Sequence, residues 1–318
     1  MLNSATIAAI NSNIFSLSAK KYLITVVGPT AIGKTAVGIK LAQHFGCEIL
    51  SADSRQFFKE MSVGTAVPSD DELAAAKHHF IHNKSIYENY TVGDYEKEAI
   101  AKLDEIYSDS DFAVLAGGSG LYVDAVLKGF DAFPEVDSIL RKTITEQYEN
   151  LGISYLQQEL QRLDPAYSEV VAMQNPQRLM RALEICLGTG KPYSSFLNKK
   201  KNQRDFIPIQ IGLEADREII YSRINSRVDI MIGSGLLEEA QRLYPFKHLN
   251  ALQTVGYREL FSYFDGEIPL DFAISEIKKN TRRFAKRQLT WFKKNQDIKW
   301  FDISQATEIT SYITQEIS

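Results

Sequence analysis

Two stretches of the sequence carry the residue types that handle phosphate. Gly28, Pro29, Thr30, Ala31, Ile32, Gly33, Lys34 and Thr35 fit the spacing G-x-x-x-x-G-K-[ST]. In such a loop the glycines let backbone N–H groups curl around phosphate oxygens, and the following helix N-terminus adds partial positive charge. Lys34 then pairs with a terminal phosphate, and Thr35 offers a hydroxyl to Mg²⁺. The loop reads phosphate oxygens, so by itself it does not separate a nucleotide from any other diphosphate. Proteins that use it for ATP or GTP carry an acid at the end of another strand to position the metal. Here the strand-like run FAVLAGG ends in Gly117 and Gly118 instead. The conspicuous acid is Asp53 in SADSRQ, after a different strand, where it would face the ligand crevice of a parallel sheet. A carboxylate there acts as a general base or a magnesium-shell ligand; the plainer alternative is a turn cap.

A third candidate is the segment 278–294, KKNTRRFAKRQLTWFKK, with eight basic residues in seventeen and no acid. The whole chain has 36 basic and 40 acidic residues, a net charge of −4, so any nucleic-acid binding must come from a local face such as this one. Ala285, Leu289 and Phe292 recur at helical spacing and pack inward, while Arg282, Lys286 and Lys293 lie on another face. Gln288, Thr290 and Trp291 add hydrogen-bonding and stacking groups, which turns a solvated helix face toward RNA. Weaker signals are Gln177, Arg178, Arg181 and Glu184 on one predicted helix, and Gly256 with Arg258 in LQTVGYREL. Arg217 follows the N-cap candidate Asp216 and begins a helix with Arg223 and Arg227 on its polar side. A cation at a helix start gains nothing from the macrodipole, so an anionic ligand explains Arg217 better than helix stability does.

The elements that must position these groups alternate. KYLITVVG is a β-branched strand ending in glycine, and KTAVGIKLAQHFG has helical spacing with a closing Gly46. CEILSADS and DFAVLAGGSG read as further buried strands, separated by a helix around VGDYEKEAIAKLDEIY. Strands alternating with helices predict an α/β fold, a P-loop-type parallel sheet core flanked by helices. Residues 136–163 and 175–187 read as helical, the second with Asn175 as N-cap, Pro176 at the first position and Gly188 past the end. Strand signal returns in FIPIQIGLE, the last strand, followed by helices. The predicted organisation is therefore an N-terminal extension (1–20), a catalytic core (21–129 and 200–318), and an all-helical insertion domain (130–199). LNKKKNQRD is a polar connector, expected to be a mobile loop. The extension lacks the basic start and unbroken apolar run of a targeting peptide. No run approaches the ~18 apolar residues of a membrane helix. Cys47 and Cys186 lack disulfide or zinc spacing, which points to a reducing cytoplasm.

In this order, GPTAIGKT, SADSRQ, VGTAVP, YTVGDY, AGGSGLYVDA, QRLMRALE, VGYREL and KRQLTWF closely resemble the tRNA dimethylallyltransferase family, over residues 21–300. The resemblance implies that dimethylallyl diphosphate is the donor and that the acceptor is the exocyclic amine of the tRNA adenosine 3′ of the anticodon. The adenine is expected to be flipped into a channel between core and insertion. The resemblance gives residues 28–35 the diphosphate and its Mg²⁺, and makes Asp53 the general base. Lys34, Thr35 and Arg217 would stabilise the leaving diphosphate. It implies tRNA contacts at Asp53, Ser54, Arg55 and Gln56; at Ser119 and Arg141; and at Gln177, Arg178, Leu179, Met180 and Arg181. Further contacts are implied at Gln253, Thr254, Val255, Gly256, Tyr257 and Arg258, and at Lys286, Arg287, Gln288, Leu289, Thr290, Trp291, Phe292 and Lys293. Three positions depart from the family pattern: Ile32 stands where serine is common, Ser119 where threonine is usual, and Lys293 where arginine is frequent. A C-terminal zinc finger is absent, which suggests a bacterial-type enzyme, expected to be a monomer. The competing readings are a P-loop small-molecule kinase, which has no use for the basic helix, and a non-enzymatic RNA-binding switch, which leaves Asp53 unexplained.

Overall fold

The computed structural model describes residues 20–131, 133–197 and 203–318. Apart from Lys20, the N-terminal extension lies outside the described residues, as does the centre of the polar connector. The chain forms two compact units, one comprising Met1–Leu127 with Arg204–Ser318 and the other Lys128–Gln203.

The larger unit is built on six parallel strands: β1 (Tyr22–Val27), β2 (Ile49–Ser51), β3 (His78–His79), β4 (Phe112–Gly117), β5 (Ile207–Glu214) and β6 (Lys299–Asp302). Their order across the sheet is β3-β2-β4-β1-β5-β6. β1 is central and wholly buried, as a sheet covered on both faces requires. It pairs along its length with β4 (Tyr22 opposite Phe112, Val27 opposite Gly117) and with β5. The flanking helices are α1 (Lys34–Phe45), α2 (Asp70–Ala75), α3 (Val92–Asp109) and α4 (Gly120–Lys128). α1 starts after Gly33, at φ 107°, and stops at Gly46, at φ 62°, whose N–H reaches the Ala42 carbonyl. α3 opens on a capping box in which Thr91 and Asp94 bond each other's backbone, so the YTVGDY motif is a helix start.

The parallel α/β core expected from the strand–helix alternation is present. FIPIQIGLE is not its last strand, however. The four-residue edge strand β6 pairs with β5, and the two-residue β3 closes the opposite edge. Both are too short to show a period, and β6 carries charge at each end.

The smaller unit holds α5 (Ser138–Leu151), α6 (Ile153–Leu163), α7 (Pro165–Ser168) and α8 (Pro176–Thr189), and among its described residues it has no strand. Gly152, at φ 73°, divides the expected 136–163 helix in two. α8 keeps its expected start, with Asn175 accepting from the Arg178 N–H, but runs past Gly188 to a cap at Gly190. Gly188 lies inside the helix, and a Cβ there would sit 2.5 Å from the Val136 side chain, so close packing rather than a helix end accounts for the glycine. The remaining helices belong to the larger unit: α9 (Arg217–Gly233), α10 (Leu236–Leu243), α11 (Tyr257–Phe264), α12 (Leu270–Phe292) and α13 (Glu308–Ile317). α10, α11 and α12 share a separate core with Phe58, Met61 and Leu252. Among the described residues no helix is long and apolar enough to cross a membrane.

Candidate active site

The loop after β1 takes the conformation its glycines allow. Gly28 lies at φ 149°, and a Cβ there would meet the Leu213 carbonyl oxygen at 2.7 Å, so β5 leaves room for glycine only. Ile32, where the family favours serine, is buried and packs into the sheet core beneath the loop. Lys34 curls back to donate from Nζ to the Pro29 carbonyl at 2.8 Å. Burial pulls its pKa down to about 8; the nearby Asp53 carboxylate opposes that shift and Arg227 adds to it. The Thr35 hydroxyl is half-buried and makes no hydrogen bond among the described residues.

β2 delivers Asp53 to the same end of the sheet. Burial raises its carboxyl pKa against the pull of Lys34, Arg55 and Arg227. The missing acid after β4 has a steric explanation: a Cβ on Gly117 would stand 2.3 Å from the Ala52 carbonyl oxygen. The loop carrying Asp53 thus occupies the space that a side chain at the end of β4 would need. Ser119 ties the two loops together. Its hydroxyl oxygen accepts from the Ser54 N–H at 3.0 Å and lies 3.1 Å from the Ser54 hydroxyl, while its own N–H donates to Ala52.

Arg55 and Gln56 also serve the protein itself. Arg55 Nη1 donates to the carbonyls of Asn250 and Ala251, and Gln56 Nε2 to those of Thr65 and Ala66. Residues 62–64 are in turn held by Glu239, a carboxylate 2% exposed. It accepts the N–H groups of Ser62, Val63 and Gly64 at 2.9 Å and the Tyr257 hydroxyl at 2.7 Å.

Of the arginines on α9, the structure brings Arg227 rather than Arg217 to the phosphate loop. Arg227 Nη1 lies 3.5 Å from the Thr30 hydroxyl, and Arg223 donates to the Ile32 carbonyl at 3.2 Å. Arg217 stacks over its own helix neighbour Tyr221, 4.9 Å from the ring centre, and contributes nothing to the cavity wall. The signal for Arg227 was its four-residue spacing from Arg223, which puts both on one face.

These groups surround a cavity of about 410 Å³ formed by the larger unit. Thr30, Asp53, Ser54, Arg55, Ser119, Arg227, Arg287 and Gln288 supply its polar wall, and Ile224, Val228, Met231, Leu236, Ile277 and Trp291 its apolar wall. Thr254, Val255 and Gly256 also line it. A second cavity, of about 1030 Å³, shares Ala66, Arg227 and Met231 with the first and adds Arg223, His82 and Asp70.

The basic segment is the end of α12, and much of its charge is already engaged. Lys278 pairs with Asp229, Lys279 with Glu276 and Lys293 with Glu214, while Arg282 bonds Asn225. Lys286 is exposed and has no side-chain partner among the described residues. In the smaller unit, Gln177, Arg178 and Arg181 are exposed along α8. Arg141 bonds Gln177 at 2.6 Å, and Arg141 and Arg181 share Glu184. Several residues that the resemblance gave to tRNA have their side chains in a core instead: Leu179, Met180, Tyr257 and Phe292 are at most 3% exposed. They are the apolar faces of amphipathic helices whose polar faces carry the exposed contacts.

A phosphate loop, a carboxylate carried just past β2 and a cavity with polar and apolar walls at one end of a parallel sheet define a P-loop-type α/β protein. The IPP transferase family profile matches residues 56–295. A tRNA dimethylallyltransferase of Flavobacterium johnsoniae is 67% identical over 304 residues, 93% of this chain and 98% of that one. Another, of Flavobacterium psychrophilum, is 64% identical over 90% of this chain and 95% of its own length. Among solved structures, the tRNA isopentenylpyrophosphate transferase of Bacillus halodurans superposes with a TM-score of 0.70 at 34% identity, covering 94% of this chain and 97% of that one. The chain belongs to the IPP transferase family.

Proposed function

We propose that the protein transfers the dimethylallyl group of dimethylallyl diphosphate to the exocyclic amine of the adenosine 3′ of the anticodon in tRNA, releasing diphosphate. The observation that carries this reading is one cavity bounded by Asp53, by Thr30 of the phosphate loop with Arg227, and by an apolar wall from α9 and α12. The adenine amine is a poor nucleophile because its lone pair is delocalised into the ring. Asp53 takes its proton as nitrogen bonds to the allylic carbon and the carbon–oxygen bond to diphosphate breaks. Negative charge then grows on the departing oxygen, beside Lys34, Arg227 and the loop N–H groups.

Mg²⁺ fits the donor set in one way. The free Thr35 hydroxyl is a hard oxygen ligand, and among the described residues no group of three acidic, His or Cys side chains forms a cage of its own. On this reading Thr35 would hold the ion against the diphosphate, where it would neutralise leaving-group charge. We take the protein to act as a monomer, a reading consistent with residues of the larger unit lining the described cavity. Both cysteines are free, which suits the reducing cytoplasm where tRNA is modified.

The test incubates unmodified tRNA bearing that adenosine with labelled dimethylallyl diphosphate and Mg²⁺, and in parallel with labelled ATP. Label is expected on tRNA from the first donor only. Transfer from ATP alone, to any small acceptor, overturns the reading in favour of the kinase.

A further inference from the structure

We propose that Gln288 is a positioning residue for the donor half of the reaction, a strut between the phosphate loop and the loop after β4, which in turn is bonded to the Asp53 loop, rather than a contact for tRNA. The inference rests on the transfer reaction proposed above.

Gln288 stands on the basic helix α12 but is only 5% exposed, and both ends of its amide are used inside the protein. Its Oε1 accepts the Thr30 N–H at 2.8 Å and its Nε2 donates to the Gly118 carbonyl at 2.8 Å. One partner is a donor and the other an acceptor, so the amide can face only one way. Thr30 and Gly118 lie beyond the carboxyl ends of the adjacent strands β1 and β4, and no other side-chain hydrogen bond among the described residues links these two loops. From Gly118 the connection runs on through Ser119 to Ser54, next to Asp53. Gln288 thus fixes the phosphate loop against the loop after β4, which in turn bonds the loop that carries the base.

Glycine at 118 is what admits the strut, because a Cβ there would lie 2.3 Å from Gln288 Nε2. The helix turn that presents Gln288 is itself anchored. Trp291 donates from its indole N–H to Asp124 at 2.9 Å, and a Cβ on Gly120 would lie 2.3 Å from that indole. Displacement at the allylic carbon requires nitrogen, carbon and leaving oxygen in line, and a misplacement of about 1 Å costs on the order of 100-fold in rate. Loss of the strut should therefore be felt by the donor and by kcat. Binding of tRNA, carried by exposed charges elsewhere, should be left alone.

The experiment compares the wild-type protein with Gln288→Met, which keeps length and volume but neither bond, and Gly118→Ala, which displaces the strut while leaving Gln288 in place. Each is assayed with dimethylallyl diphosphate, Mg²⁺ and saturating unmodified tRNA, with tRNA Kd and Tm measured alongside. Both variants are expected to lose about 10- to 100-fold in kcat/KM for the donor, with tRNA Kd within about 3-fold of wild type. A rise in tRNA Kd with donor kinetics unchanged overturns the proposal and makes Gln288 an RNA contact. Unchanged constants, or losses that follow the unfolded fraction equally for both substrates, also overturn it. Failure of the transferase reading itself is distinguishable, since the wild type would then move no dimethylallyl group to tRNA.

Discussion

The cavity of the larger unit and the exposed face of α8 in the smaller unit use similar side chains in opposite ways. Around the cavity, Arg55, Gln56, Ser119, Glu239 and Gln288 each spend their hydrogen bonds on the protein's own backbone. On α8, the Arg178 side chain makes no hydrogen bond or ion pair among the described residues, and Arg181 shares the single carboxylate of Glu184 with Arg141 of α5. The first arrangement fixes geometry before any substrate arrives, as bond-making requires. The second leaves cations that can exchange a carboxylate for a phosphate, as tracking a nucleic-acid backbone requires. Replacing cavity residues should therefore change chemistry or stability, and replacing α8 residues should change affinity.

The largest effect is expected at Asp53. Asp53→Asn keeps the shape and removes the base, so kcat should fall about 10²- to 10⁴-fold while tRNA Kd moves only a few-fold. The pH profile sharpens this. Asp53 must be ionised to accept a proton, so kcat/KM for the donor rises with pH through its raised pKa. Lys34 must be protonated to meet the diphosphate, so activity falls again above about pH 8, where the free enzyme's Lys34 loses its charge. In Asp53→Asn the residual activity should lack the rising limb. A profile unchanged in shape would remove Asp53 from the proton transfer.

The same contrast explains what could be read from the sequence. The phosphate loop, Asp53 and the parallel sheet were legible because each is local: a motif, a strand end and a period. Arg227 was missed in favour of Arg217 because both are polar positions on one helix, and only tertiary packing decides which turn meets the loop. Gln288 was legible as a residue in a basic segment but not as a strut, since its partners are 258 and 170 positions away. The apolar members of the segments that the resemblance gave to tRNA, Leu179, Met180, Tyr257 and Phe292, have buried side chains. Contiguous motifs include the core face of the helix that displays the functional one.

An intermediate effect should follow Glu239→Gln. Glu239 joins two segments that reach the cavity, residues 62–64 ending at the lining Gly64 and Tyr257 next to the lining Gly256, by four hydrogen bonds in a site 2% exposed. Each carboxylate oxygen accepts from two donors, so an amide cannot accept from all four, and its own N–H₂ would face two of them. Urea denaturation should show a loss of about 2–4 kcal/mol, the scale of charge-assisted bonds broken in a buried site. Tyr257→Phe removes one donor and leaves the carboxylate paired, so it should lose about 1 kcal/mol. Equal stability of Glu239→Gln and wild type would show that the carboxylate is not what holds those walls.

The smallest effect, and the one that tests the other side of the comparison, belongs to Arg178→Ala. Arg178 is exposed on α8 and makes no bond that the fold depends on, so stability should stay within about 0.5 kcal/mol. If it meets a phosphate, tRNA affinity should fall a few-fold. The slope of log affinity against log salt should become shallower by about 0.7–0.9, the contribution of one released counterion. Saturating tRNA should then restore kcat in full, because the residue takes no part in the cavity. An unchanged salt slope would leave Arg178 as a solvated charge, and a kcat that stays depressed at saturation would mean that this face also shapes the reacting geometry.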